Sequence, residues 1–98
     1  MRVVVKYPGE RWRMVNLTGG EQSIKRLAHG EYVIWEIADG IGMVCNENGY
    51  SLGLPFAGTF RKHRLYGNLV IVGVKDGDFT DLPKEASDKI VGFMVPAV

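Results

Sequence analysis

Cys45 is the strongest nucleophile the chain could offer, and it is the only cysteine among 98 residues. A thiolate attacks when a neighbouring base or positive charge activates it, and the imidazoles on offer are His29 and His63. Both sit in other segments of the chain, and a thiol between Val44 and Asn46 in a strand behaves as a small apolar side chain. Packing is therefore its expected role. A lone cysteine cannot form an internal disulfide or a cysteine-based zinc site, and it suits a reducing compartment. No paired carboxylates, serine–histidine–acid set or helix carrying two histidines stands out. The expected function is binding without catalysis, and a cysteine-dependent enzyme is the remotest alternative.

The sharpest local charge is Arg61-Lys62-His63-Arg64, bracketed by Phe60 and Tyr66. Guanidinium groups grip phosphate with paired hydrogen bonds, lysine acts as a point charge, and aromatic faces stack on bases. This segment could contact a nucleotide or nucleic acid, and Arg11-Trp12-Arg13 would extend it if the first strands lie alongside. The formal net charge is only +1, so attraction to an anion must come from such a patch and not from the whole molecule. Asn46 and Glu47, at the end of a strand, offer polar groups to a ligand, although these residue types commonly bond the backbone of their own turn. Asp76-Gly77-Asp78 with Asp81 has the glycine at the wrong offset for a calcium loop and lacks its bidentate glutamate, so a polar turn is expected there. Gly19-Gly20 carries no phosphate-loop lysine and is explained by helix entry. No metal or cofactor is expected.

These residues need a scaffold, and hydrophobic periodicity supplies one. Arg2 to Tyr7 is valine-rich, Pro8-Gly9 suits a turn, and Trp12 to Leu17 alternates, which predicts an N-terminal pair of strands. Thr18 and Glu21 have capping-box spacing, which predicts a helix of about three turns carrying Ile24, Leu27 and Ala28 inward and stopping at Gly30. Glu31 to Ile37 and Ile41 to Asn46 read as strands joined at Asp39-Gly40, and Asn48-Gly49 is expected to make a two-residue hairpin turn. Leu69 to Val74 is almost continuously apolar and belongs at the centre of the sheet, with Gly73 marking a bulge or a close approach. Leu82, Ala86, Ile90 and Phe93 form a helical stripe that Pro96 ends. Between Phe56 and Asn68 no apolar period is evident, so a long loop is expected.

Val44-Cys45-Asn46-Glu47, Gly49, Gly53-Leu54-Pro55, Gly67 before Val70-Ile71-Val72-Gly73, and Gly77-Asp78-Phe79-Thr80 together resemble a known pattern. It is that of a group of small proteins, frequent in bacteriophages and mobile elements, catalogued as a domain of unknown function. The similarity covers most of the chain and implies a mobile-element origin, with no catalytic residues to carry over. The sequence departs from the family pattern after Pro55, where Phe56-Ala57 and a basic insertion replace the expected Asn-Arg.

At 98 residues, with 46% hydrophobic and 23% charged side chains, the chain fits a single α+β domain over residues 1–98. The expected architecture is a mixed or antiparallel sheet of about five strands with both helices on one face. No apolar run approaches membrane-spanning length, which predicts a cytoplasmic protein of a bacterial host with no membrane partner. The expected partner is a host protein or a small captured ligand; the alternative is a nucleotide or nucleic acid held by Arg61, Lys62, His63, Arg64 and Tyr66. A homodimer would add contact area to so small a chain.

Overall fold

The computed structural model describes residues 1–93. In chain order its elements are β1 (Arg2–Lys6), β2 (Arg13–Asn16), α1 (Glu21–Leu27), β3 (Tyr32–Ala38), β4 (Ile41–Asn46), β5 (Phe56–Phe60), β6 (His63–Tyr66), β7 (Leu69–Lys75), β8 (Asp78–Thr80) and α2 (Lys84–Phe93). The class is α+β, and every strand pair is antiparallel. Six strands form one sheet in the order β2, β1, β7, β4, β3, with β8 also paired to β7. The large sheet thus has six strands where about five were expected, and β5 and β6 form a separate two-stranded sheet.

β7 is central because Leu69, Val70, Ile71 and Val72 are all buried, a state that needs cover on both faces. Gly73 marks a close approach: a Cβ there would lie 2.6 Å from the Asp81 carbonyl oxygen. Asp76 and Gly77 both take positive φ between the paired residues Lys75 and Asp78, the requirement of a two-residue type I′ hairpin.

Successive strand residues feed opposite faces of the sheet. Val4, Met43 and Ile71 join Leu82, just before α2, and Ala86 and Ile90 of α2, whereas Val3, Val5 and Val44 join Ile24 of α1 and Ala28 at its C-cap. The two helices thus cover opposite faces, which corrects the expectation that both lie on one. Central strands that are apolar on both sides need a cover on each. The expected stop at Pro96 lies outside the described residues, as does the side chain of Phe93. No helix among the described residues is long and apolar enough to cross a membrane.

Local details at the helix ends also differ from expectation. α1 is capped by Gly20 and not by Thr18, whose carbonyl accepts a hydrogen bond from the Ser23 hydroxyl. Its far end is a Schellman motif in which His29 takes the left-handed conformation, and the Gly30 and His29 amides donate to the Lys25 and Arg26 carbonyls at 3.0 and 3.1 Å. Asn48-Gly49 is not a hairpin turn. The chain coils there in a helix-like turn, with the Leu52 amide donating to the Asn48 carbonyl and that of Leu54 to Gly49, both at 3.0 Å.

Candidate functional site

The expected loop after Pro55 is the β5–β6 hairpin. Phe56 pairs with Tyr66, Gly58 with Leu65, Thr59 with Arg64 and Phe60 with His63, with a register shift between Phe56 and Gly58. Ala57 and Leu65 are buried in the α2-side core, which lays the hairpin across that face of the large sheet. Lys6 fastens it: the ammonium group, in a side chain that is 1% exposed, donates to the Ala57 carbonyl at 2.9 Å. The turn residues are Arg61 and Lys62, with φ of 48° and 68°, a conformation that usually selects asparagine and glycine.

Cations and rings alternate along this hairpin. The Arg61 guanidinium lies 4.7 Å from the Phe60 ring centroid, and that of Arg64 lies 4.8 Å from Phe56. His63 packs on Trp35 of β3 at 4.7 Å, and Phe60 meets the same indole edge-on at 6.2 Å. Arg61, Lys62 and Arg64 are exposed and, among the described residues, have no carboxylate partner.

At its base the hairpin meets the coiled segment that follows β4. Gly49 permits the contact, because a Cβ there would come within 2.8 Å of the Tyr66 carbonyl oxygen. Between the two segments lies an open cleft of about 170 Å³, lined among others by Glu47, Tyr50, Ser51, Arg64 and Tyr66. The Tyr50 and Tyr66 rings sit 5.3 Å apart, and Tyr50 is 77% exposed. Asn46 shapes the cleft from below without facing solvent. Its side-chain amide donates to the Ala28 and His29 carbonyls at 2.7 and 3.3 Å, and its Oδ1 accepts from the Asn48 amide at 2.7 Å. The asparagine thereby locks the cleft-forming turn to the end of α1.

Among known protein families, the family model for "Domain of unknown function (DUF3846)" matches residues 1–93. The chain belongs to that family. No curated protein and no solved structure matches it. In this DUF3846 chain, Asn46, Gly49, Leu54 and Gly67 pack the post-β4 turn against the hairpin base.

The structure brings together part of the sequence-predicted site. Arg61, Lys62, His63, Arg64 and Tyr66 share the hairpin, and Glu47 joins them at the cleft. Trp12 does not extend the patch; it lies just before β2, is 6% exposed and packs in the α2-side core. Arg13 is held by Glu10 and lies over the Tyr7 ring at 5.5 Å, while Arg11 is exposed beside it in sequence. Asn46 is buried and fully engaged in turn chemistry, so it is not available to a partner.

Cys45 is 3% exposed, and burial pushes its thiol up from the ordinary range. The Trp35 indole N–H, buried without an oxygen or nitrogen acceptor, lies by that sulfur and opposes part of the rise. Asp76 is spent on its hairpin turn, and the Asp81 carboxylate accepts from the Arg2 amide at 2.6 Å. Among the described residues no cluster of metal-ligating side chains forms. Sequence reasoning missed Tyr50, Ser51, Phe56 and Lys6 as parts of this region. An aromatic residue, Tyr50, directly after the turn-forming Asn-Glu-Asn-Gly was the available signal.

Proposed function

We propose that this DUF3846 chain is a non-catalytic binding module whose β5–β6 hairpin grips single-stranded nucleic acid. The observation that carries this reading is the hairpin itself, where three exposed cations without carboxylate partners alternate with aromatic faces. Unpaired bases stack on rings, and phosphates seek such cations. The turn adds weight. Left-handed geometry costs an ordinary residue about 1–2 kcal/mol, so Arg61 and Lys62 oppose stability where asparagine and glycine would not. Backbone strain of this kind concentrates at binding sites. The resemblance to phage and mobile-element proteins supports a role as an accessory factor in the cytoplasm of a bacterial host.

A titration of a fluorescent thymine oligonucleotide at several salt concentrations tests the reading. Three phosphate contacts at about 0.7 counterions each give a log–log slope of about −2, and Arg61→Ala or Arg64→Ala lowers both affinity and slope. Absence of binding at low salt would refute it.

One observation favours a second reading, a protein partner. No described strand pairs with the outer edge of β3, whose residues Tyr32–Ala38 include Glu36 as the only charge. A host protein or a second copy of the chain could add a strand there, and that association would change little with salt.

A further inference from the structure

Glu47 and Arg64 line the same cleft, yet among the described residues they form no ion pair. A carboxylate beside a phosphate-binding hairpin repels the polymer unless it receives hydrogen bonds from it. We infer that the cleft is a base subsite selective for guanine, an inference that rests on the single-strand reading above.

Size comes first. Pockets for drug-sized ligands start at roughly 300 Å³, so a cleft of about 170 Å³ takes one flat ring system and leaves the sugar and phosphate outside. The exposed Tyr50 ring, braced by Tyr66 at 5.3 Å, supplies the stacking face.

Chemistry then selects the base. The Asn46 side chain is already engaged and the Cys45 thiol is buried, which leaves the Glu47 carboxylate as the one charged acceptor in the cleft. An ionised carboxylate accepts and cannot donate. Guanine alone among the common bases presents a ring N–H and an exocyclic amine side by side, matching both carboxylate oxygens. Adenine and cytosine place a ring-nitrogen lone pair next to their amine, and thymine or uracil flanks its single N–H with carbonyls. Each of those edges turns lone pairs toward Glu47. Arg64, at the other side of the cleft, is left to take the adjoining phosphate.

Fluorescence anisotropy at one low salt concentration tests this with a thymine oligonucleotide and the same strand carrying isolated guanines, adenines or inosines. The guanine strand should bind about tenfold tighter than the thymine strand. Inosine, which lacks the exocyclic amine, should lose most of that gain. In Glu47→Gln, which alters an exposed side chain, the ratio of guanine to thymine affinity should fall to near one. Equal binding of all four strands, or a preference for adenine, overturns the guanine subsite and leaves the nucleic-acid reading standing. Failure of every strand to bind overturns both.

Discussion

Lys6 is the residue whose placement most opposes its chemistry. Its ammonium group is buried, bonded to one backbone carbonyl, and removed from any described carboxylate, so loss of water lowers its pKa from 10.5. A lysine whose folded pKa is lowered releases its proton earlier in the native state than in the unfolded chain. Between that lowered value and 10.5 the unfolded state holds more protons, and native stability rises with pH. The wild type should therefore gain urea resistance relative to Lys6→Met as pH climbs through this alkaline window. A constant difference would show that the lysine is not desolvated. Parity along β1 made the burial readable, since Val4 and Lys6 share a face, but a lysine after three valines also looks like the polar end of a strand. Gly73 was legible for the opposite reason: a glycine inside an apolar run signals contact with backbone. Gly73→Ala forces a Cβ against the Asp81 carbonyl and should cost about 1–3 kcal/mol, measurable as a lower denaturation midpoint. Cys45 should resist thiol reagents in the native state and react freely in denaturant.

Among the elements, the β5–β6 hairpin separates what local sequence reveals from what packing decides. Its first strand, Phe56-Ala57-Gly58-Thr59-Phe60, shows no polar–apolar alternation and its second opens on His63-Arg64, and its turn residues disfavour the conformation they adopt, so neither periodicity nor turn chemistry announced it. Burial of Ala57 and Leu65 against the large sheet overrides both. Asn48-Gly49 shows the converse. Its dipeptide suits a hairpin, but the Asn46 side chain captures the Asn48 amide and starts a coil instead. By contrast, Asp39-Gly40 and Asp76-Gly77 connect paired strands as their residues predict, because no side chain competes there. Replacing Arg61-Lys62 by Asn-Gly should raise the thermal midpoint by relieving the left-handed strain while weakening oligonucleotide binding. If the midpoint falls, the turn geometry is not strained; if binding is unchanged, the tip cations do not contact the ligand.

In the whole molecule, the two core clusters share β1, β4 and β7, whose alternate residues point into one or the other. Neither helix can leave without exposing a face of strands that the other also needs. Chemical unfolding should thus give coincident transitions by tryptophan fluorescence, which reports the α2 side through Trp12 and Trp35, and by far-ultraviolet circular dichroism. Separate midpoints would mean that the faces melt independently. The sandwich was only half legible: the unbroken apolar run of β7 required cover on both sides, yet nothing in either helix says which side it takes. The β5–β6 hairpin forms its own two-stranded sheet and joins this unit through the buried Ala57 and Leu65 side chains and the Lys6 hydrogen bond, not through strand pairing with the large sheet. Substitutions at its exposed positions, Arg61, Lys62 and Arg64, leave those anchors in place. The frame and the hairpin's exposed surface are thus separable, and a change of residues on that surface alters what it can hold while the architecture stays as it is.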